Sequence, residues 1–496
     1  MDLSRRDFLS RRDFLIRGGF YSLTVAQLLS GLSLPAWAQP GEPLLTSPTF
    51  DVPDDAMVNV RGHRLRFGSS VGPFKDPVWT LEECRAIGFT SIRISMPREH
   101  CEKGPNNGPY DSHLFHNPYP DATQMIREAK FDVIMLLHGH PANRKEVPQE
   151  WPRLPDGTIN GRAAAPSFAN YTRWLVEHTR DFVHTYELWN EAFGHIEDQK
   201  FKQSFGPGGS KQNADNYAEM MLPAMQRIKR FAPNAKTIIE GNYWNIPVSV
   251  GHSPGYQELL TQADYVVQHP YGYGPKEYTK AGKTGKGSWV YEAAAFFKSV
   301  NPKIKWIYTE YNVTANGLGV TPDELTGVLQ AKGVLRATAL HMRHGITDLY
   351  PFALCYPPSP EFTFTEKNHH RRLVWFAMKR FMAACAPKQA SVQCQLERTG
   401  IPASMRDLAV ATPEGFTYCI WQETKPPEWK NNTPVAHCTV ALKSSDGRRL
   451  KLIAVTDPIS GNEITDAQSR ITSTGELALS LPVTDYPRTC FLRVVT

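Results

Sequence analysis

Residues 185–191 read Thr-Tyr-Glu-Leu-Trp-Asn-Glu, and residues 305–310 read Lys-Trp-Ile-Tyr-Thr-Glu. Each stretch is a short, largely apolar and aromatic run that ends in a glutamate. Short apolar runs of this kind are typical of buried strands in a parallel sheet. An ionisable side chain at the end of such a strand is costly unless its surroundings are polar or make use of it. The two stretches therefore predict two buried strands whose ends carry carboxylates.

The same pattern extends outward over residues 60–387, where short apolar, β-branched runs alternate with longer helical patterns. This alternation is the signature of repeated βα units and a parallel sheet. Strands are predicted at residues 65–70, 90–96, 132–138, 185–190, 236–241, 265–269, 305–310 and 347–352. Eight parallel strands with intervening helices predict an α/β fold, a closed (β/α)8 TIM barrel with long loops. An open doubly wound sheet is the second choice, but residues 68–72, Gly-Ser-Ser-Val-Gly, lack the glycine spacing of its phosphate loop.

The character of the sequence changes after a predicted helix at residues 371–384. Short segments of alternating apolar and polar residues follow, and they predict an antiparallel β-sandwich domain over residues 388–496. Its strands are predicted at residues 416–421, 436–442, 451–455, 477–481 and 490–495. This segment carries no catalytic signature of its own, so we interpret it as a packing partner for the barrel.

Residues 1–38 are predicted to form a twin-arginine signal peptide, followed by an N-terminal extension at 39–59. The run Ser-Arg-Arg-Asp-Phe-Leu occurs twice, at residues 4–9 and 10–15. A moderately apolar stretch at 20–34 and the cleavage pattern Ala36-Trp37-Ala38 come next. The apolar stretch is too short to predict a membrane span. We expect the twin-arginine export machinery as a partner, a periplasmic or secreted protein of a bacterium, and no stable membrane insertion after cleavage.

The composition, with 41 % hydrophobic and 21 % charged residues, is ordinary for a soluble enzyme. The formal net charge is +6, and removal of the signal, with five arginines and three aspartates, leaves +4. Nucleic-acid binding would need a concentrated basic face, so no nucleic-acid partner is predicted. The sequence does not indicate the oligomeric state.

All eight cysteines lie beyond the signal, and an even number in an exported chain permits disulfides. No Cys-x-x-Cys pair occurs, which argues against structural zinc and redox motifs. His369 and His370 sit beside Arg371 and Arg372 rather than among carboxylates, so no metal site is predicted. No cofactor is predicted either.

Functional groups of a (β/α)8 barrel collect where the strands meet their C-terminal loops. These positions hold a set of polar side chains that we expect to converge: Arg93 and Ser95, His138, Asn190 and Glu191, His269 and Tyr271, and Glu310. Retaining glycosidases need one carboxyl group as acid and base and a second as nucleophile. Glu191 and Glu310 are the candidates for this catalytic pair.

The chain here resembles clan A of the glycoside hydrolases, in which the acid/base follows an asparagine at the end of strand four and the nucleophile ends strand seven. Residues 187–191, Glu-Leu-Trp-Asn-Glu, and 308–312, Tyr-Thr-Glu-Tyr-Asn, look most like family 39. Arg93, the pair at 138–139 and the run at 269–271 are also similar to family 5, the second choice. The resemblance covers the barrel, and the attached sandwich also suits family 39.

This resemblance implies that Asn190 binds the sugar hydroxyl next to the anomeric carbon and that Tyr271 donates to Glu310. His138 and His269 would line the subsite where the bond breaks. Arg93 either binds substrate or only neutralises the acidic site, and His138 is either a site residue or a core histidine; both alternatives stay open.

Two features depart from the clan. Ala192 stands where a proline is common, and strand eight lacks the tryptophan that many members place under the sugar. Tyr350, Phe352 and Tyr356 are the candidates to replace that platform.

Long loops on the same face supply aromatic residues, among them Trp151, that suit stacking on sugars. Lys276, Lys280, Lys283 and Lys286 lie in the loop after strand six, where they either attract an acidic substrate or are solvated loop residues.

We therefore expect a retaining hydrolase of a β-linked polysaccharide or oligosaccharide. A transglycosylase with the same catalytic pair and a non-catalytic glycan-binding protein on a barrel scaffold are the alternatives.

Overall fold

The structure is a computed structural model. It describes residues 66–71, 77–97, 126–128, 130–138, 151–193, 205–206, 211–241, 253–272, 297–313, 327–343, 346, 348–354, 362–366, 369–385, 392–402, 404–422 and 434–495. The signal peptide, the N-terminal extension and the four loop lysines therefore lie outside the described residues. No helix of the described part is long and apolar enough to cross a membrane.

Eight parallel strands form a closed ring. They are β1 (Arg66–Val71), β2 (Ser91–Pro97), β3 (Asp132–His138), β4 (Thr185–Leu188), β5 (Lys236–Glu240), β6 (Tyr265–Val267), β8 (Lys305–Val313) and β9 (Asp348–Pro351). Each strand pairs with the next, β6 pairs with β8, and β1 pairs with β9 to close the ring. A two-residue strand β7 (Tyr271–Gly272) pairs in parallel with the end of β8. This closure confirms the predicted TIM barrel and excludes the open doubly wound sheet.

Helices follow the strands and pack on the outside of the ring. The described helices are α1 (Pro77–Ile87), α2 (Gly161–Thr179), α3 (Lys211–Phe231), α4 (Pro254–Gln262), α5 (Val328–Arg343) and α6 (Leu373–Cys385). Asn160 and Ser253 cap α2 and α4 by accepting hydrogen bonds from backbone amides of the first turn.

Strand residues alternate between the inside of the ring and the helix layer. A small cluster fills the interior, contributed by Ile134, Ile238, Tyr265, Val267, Ile307 and Tyr350. A much larger apolar cluster lies between the strands and the helices, with members such as Leu137, Leu188 and Tyr308. The barrel interior is thus a packed core rather than an open pore.

The C-terminal region is an antiparallel β-sandwich, as predicted. One sheet has the order β10 (Leu396–Thr399), β13 (Ala436–Ser444), β16 (Leu477–Val483), β15 (Gln468–Ile471). The other has the order β11 (Met405–Ala411), β12 (Gly415–Gln422), β17 (Arg488–Val495), β14 (Arg449–Thr456). The apolar faces of the two sheets enclose a separate core. Strands β10, β11 and β15 were not predicted from the sequence.

Helix α5 is buried on all sides because the barrel covers one face and the sandwich the other. Lys332 on this helix pairs with Asp485 of the sandwich at 3.0 Å, and both side chains are almost fully buried. Arg343, near the end of the same helix, lies 3.9 Å from Asp407 of β11. Such buried pairs tie the barrel to the sandwich through specific partners.

All six cysteines in the described part are unpaired and buried. The sulfur atoms of Cys385 on α6 and Cys419 on β12 lie 3.8 Å apart, at hydrogen-bond distance for thiols and without a disulfide bond. Cys101 and Cys355 are outside the described residues.

Candidate active site

The predicted site residues lie at one end of the barrel because parallel strands end on the same side. Arg93 lies in β2, His138 is the last residue of β3, and Asn190 and Glu191 follow β4. His269 follows β6, and Glu310 lies in β8 beyond Ile307, the last residue of β8 that pairs with β6.

The two candidate catalytic carboxylates face each other across this end. One carboxylate oxygen of Glu191, one of Glu310 and a ring nitrogen of His269 all lie within 4.8 Å of one another. The Glu191 side chain is 27 % exposed, whereas that of Glu310 is 11 % exposed. One carboxyl group therefore meets solvent while the other is largely buried.

Arg93 donates hydrogen bonds to Glu310, Asn190 and Glu187. Its Nη1 donates to Oε1 of Glu310 at 2.5 Å, and its Nη2 donates to Oδ1 of Asn190 at 2.7 Å. Its Nε and Nη2 form a bidentate pair with Glu187, at 2.7 and 2.8 Å. Burial opposes the charge on Arg93, but Glu187 and Glu310 outweigh it, so its pKa lies above the ordinary value. Arg93 is thus a fixed cation under the site.

His269 bonds both of its ring nitrogens. Its Nδ1 lies 3.0 Å from Oε1 of Glu191, and its Nε2 lies 3.0 Å from Oγ1 of Thr309. Burial lowers the pKa of His269, but the negative charges of Glu310 and Glu191 outweigh burial and leave it raised. His269 therefore belongs to the site formed by Glu191 and Glu310 and is not an isolated core residue.

The backbone that presents Glu191 adopts an unusual conformation. Trp189 and Glu191 have φ angles of 78° and 49°, in the left-handed region that side chains other than glycine rarely adopt. The Trp189 amide donates to the carbonyl of Leu137 at 2.8 Å, and the Ala192 amide donates to Oε2 of Glu240 at 2.8 Å. Such strain persists only where the surroundings fix it, and it is frequent at functional sites.

Sequence reasoning missed three buried polar residues of this region, namely Glu187, Glu240 and Thr309. Glu187 lies within β4 with its side chain 1 % exposed, and Thr309 donates to its Oε1 at 3.1 Å. For the two glutamates the available signal was a charged residue inside an apolar strand, which is costly without partners; Thr309 carries no such signal.

A scan against known protein families and a search of curated proteins both found no match. Among solved structures, a family 39 glycoside hydrolase from Bacteroides cellulosilyticus is similar, with 17 % identity and a TM-score of 0.57 over 90 % of this chain and 82 % of that one. A family 30 subfamily 8 xylanase from Clostridium acetobutylicum has 12 % identity and a TM-score of 0.53, over 89 % of this chain and 100 % of that one. A family 30 endoxylanase from Clostridium papyrosolvens has 13 % identity and a TM-score of 0.52, over 88 % and 99 %.

The chain shares the fold of clan A glycoside hydrolases. This confirms the resemblance to the clan that the sequence predicted, and a family 39 enzyme is among the similar structures. At such low identity the likeness concerns the fold.

The remaining predicted residues have mixed outcomes. His138 is buried at the end of β3, on the same side of the barrel as Arg93 and Glu310. The backbone of Tyr271 pairs with Asn312, but its side chain lies outside the described residues. Ser95 in β2 likewise has a described backbone only.

Two aromatic candidates for sugar stacking are buried instead. Tyr350 is fully buried, with its hydroxyl 2.5 Å from Ser91 Oγ, so it cannot form a platform. Trp151 packs against Phe168 and Trp189 in the core. Phe352, which is half-buried just after β9, remains the described candidate.

The group formed by Glu191, His269 and Glu310 is the one cluster in the described part whose donor atoms lie close enough to hold a metal ion. The Arg93 guanidinium donates to Glu310 at 2.5 Å, so a cation bound there would meet a fixed positive charge. This contact disfavours metal binding at the cluster.

Proposed function

We propose that the protein is a retaining glycoside hydrolase in which Glu191 is the general acid and base and Glu310 is the nucleophile. The observation that carries this proposal is the approach of the two carboxylates to within 4.8 Å at the mouth of the barrel. Retaining glycosidases hold their carboxyl groups about 5 Å apart, whereas inverting enzymes leave room for a water molecule at roughly 6.5 to 9.5 Å.

In the first step, Glu310 attacks the anomeric carbon while protonated Glu191 gives its proton to the glycosidic oxygen. The bond between the anomeric carbon and the glycosidic oxygen breaks. A glycosyl ester on Glu310 results. In the second step, Glu191 takes a proton from water, which attacks the anomeric carbon and releases the Glu310 carboxylate. The free enzyme returns with Glu191 protonated.

The contacts of Arg93 suit these roles. A guanidinium that donates to Glu310 favours the ionised form that a nucleophile needs. Because Arg93 can only donate, it fixes Oδ1 of Asn190 toward itself and leaves the amide nitrogen as the donor for a sugar. We propose that this nitrogen binds the hydroxyl next to the anomeric carbon.

For the substrate we propose a β-linked polysaccharide or oligosaccharide. The test is incubation with 2,4-dinitrophenyl 2-deoxy-2-fluoro-β-glycosides of xylose, glucose and mannose, followed by peptide mass spectrometry. A fluorinated sugar attached to Glu310 is expected for one of them, since the fluorine slows release of the ester more than its formation. Attachment to another residue would overturn the assignment.

Product analysis with bacterial exopolysaccharides and plant hemicelluloses then identifies the natural substrate. Products extended by added sugar acceptors, in place of hydrolysis, would indicate a transglycosylase. Glycan binding without turnover or labelling would indicate a non-catalytic binding protein.

We also propose export by the twin-arginine pathway to the periplasm or the medium, from the two Ser-Arg-Arg-Asp-Phe-Leu runs within residues 1–38. Replacement of all four arginines, Arg5, Arg6, Arg11 and Arg12, by lysine should retain the uncleaved protein in the cytoplasm of a bacterial host. Unchanged export of that variant would contradict this proposal.

A further inference from the structure

Glu187 is an ionisable residue inside β4 that has no role in the two chemical steps. Its carboxylate accepts two hydrogen bonds from Arg93 and a third from Thr309. Removing a carboxylate from water is expensive, and three donors offset that cost only if the geometry is held. The arrangement connects Glu187 to each of the two proposed catalytic carboxylates by a different route.

The first route runs through Arg93 to Glu310. Glu187 holds two nitrogens of the guanidinium, and this aims Nη1 at Oε1 of Glu310. Its negative charge also balances that of Arg93. Glu310 therefore receives a hydrogen bond without a full unbalanced positive charge beside it, which would weaken it as a nucleophile.

The second route runs through Thr309 and His269 to Glu191. The Glu187 carboxylate can only accept, so the single hydroxyl proton of Thr309 points to it. The Thr309 oxygen must then accept from Nε2 of His269. In the neutral ring this leaves Nδ1 without a proton, as an acceptor that faces Glu191.

This order of donors has a consequence for Glu191. Either the protonated carboxyl of Glu191 donates to Nδ1, or a charged imidazolium donates from Nδ1 to the carboxylate. In both forms one proton is shared between Nδ1 and Glu191, so the tautomer set by Thr309 keeps a proton beside the proposed acid.

We infer that Glu187 is a positioning residue for both carboxylates, acting through Arg93 on Glu310 and through Thr309 and His269 on Glu191. The inference rests on the proposed function for the meaning of the two carboxylates, but the hydrogen-bond order it assigns exists without turnover. Among the described residues, the charged and polar groups that face His269 are Glu191 after β4, Thr309 and Glu310 on β8, and Arg93 on β2.

The first test reads the tautomer of His269 directly and needs no substrate. Protein labelled with ¹⁵N-histidine is compared with Thr309→Val, which lacks the hydroxyl, and Thr309→Ser, which keeps it. The His269→Gln difference spectrum assigns the signals. We expect a ring protonated at Nε2 in the wild type and in Thr309→Ser, and a loss of that pattern in Thr309→Val.

Thr172→Val is the matched control, because Thr172 is an equally buried threonine whose hydroxyl donates to the Phe168 carbonyl within α2. It should leave the His269 signals unchanged. An unaltered tautomer in Thr309→Val, or a ring protonated at Nδ1 alone in the wild type, would overturn the inference.

The second test uses the pH profile of kcat/KM. Glu187→Gln leaves Arg93 unbalanced, and the excess positive charge favours the ionised form of nearby acids. Both limbs of the profile should therefore move to lower pH, by about one unit. Thr309→Val leaves the charges unchanged but removes the group that accepts from Nε2 of His269. Only the alkaline limb of its profile, which reports the proposed acid Glu191, should therefore move.

A role limited to structure would lower the rate equally at all pH values, and that result in both variants would count against the inference. Absence of turnover in the wild type would contradict the proposed function instead, and the histidine spectra would still decide between a fixed and an unfixed tautomer. Failure of Glu187→Gln to fold leaves Thr309→Val as the deciding variant.

Discussion

Glu191 and Glu310 bring carboxylate oxygens within 4.8 Å of each other although their strands, β4 and β8, are separated in the ring by β5 and β6. The short distance between the two carboxylates leaves no room for an attacking water between a sugar and the second carboxyl group. We therefore expect hydrolysis with retention of the anomeric configuration. A proton NMR time course on an active aryl β-glycoside checks this, and a first-formed product of inverted configuration would contradict the mechanism.

Glu310→Gln should abolish turnover while the protein stays folded. The amide keeps an oxygen that can accept from Arg93, but it cannot form the glycosyl ester. Rates on the active glycoside and thermal unfolding give the two readouts. Glu258→Gln, on the exposed side of α4, is the control and should behave like the wild type.

Glu191→Ala should slow hydrolysis of substrates with poor leaving groups by about 10²- to 10⁴-fold, since only proton transfer is lost. The value of kcat/KM on 2,4-dinitrophenyl glycosides should fall far less, because this leaving group needs no proton, whereas kcat is limited by the second step, which has lost its base. Azide should restore turnover and yield a β-glycosyl azide. Equal losses on both classes of substrate, without azide rescue, would argue that Glu191 is not the acid.

Lys332→Met should lower the free energy of unfolding by about 3 to 5 kcal/mol, because Asp485 then remains as an unpaired buried charge. The double variant Lys332→Met with Asp485→Leu removes both charges and should recover much of the loss. Arg173→Ala breaks an exposed pair with Glu177 and should cost about 0 to 1 kcal/mol. Additive losses in the double variant, measured by urea denaturation, would show that the pair is not coupled.

His341 gives a prediction for acid stability. It lies on α5 with its ring nearly perpendicular to that of Tyr308, and burial lowers its pKa from 6.5 to about 3. Between these values the unfolded chain binds a proton that the folded protein does not, so stability falls as the pH drops below 6.5. The contribution is roughly 1.4 kcal/mol per pH unit.

His341→Phe keeps a ring beside Tyr308 and removes the titration. Its free energy of unfolding should fall less than that of the wild type between pH 6.5 and pH 4. Parallel curves for the two proteins, from urea denaturation at several pH values, would contradict this assignment.

Much of the barrel was predictable because its strands are continuous apolar runs. Residues 132–138 were predicted as a strand, and β3 has the same bounds. Residues 185–190 were predicted as one strand, but β4 ends at Leu188 because the chain turns into the left-handed region at Trp189. Apolar character marks burial along a run but not the residue at which the backbone leaves the sheet.

The sandwich was harder to divide into strands. Strand β15, with all four residues exposed, has no apolar face to reveal it, and β10 is equally short. Strand β11 is buried along almost its whole length, so it lacks the alternation that identified its neighbours.

The sequence by itself determined the fold class and placed two glutamates at or near the carboxyl ends of buried strands, because the periodicity of burial is a local property of the chain. Only the tertiary structure decided what those glutamates meet. Closure of the ring brings Glu187 of β4 against Arg93 of β2 and Thr309 of β8, residues 94 and 122 positions away. Hydrogen-bond partners at such separations depend on strand register and side-chain direction, which no local pattern of residues encodes.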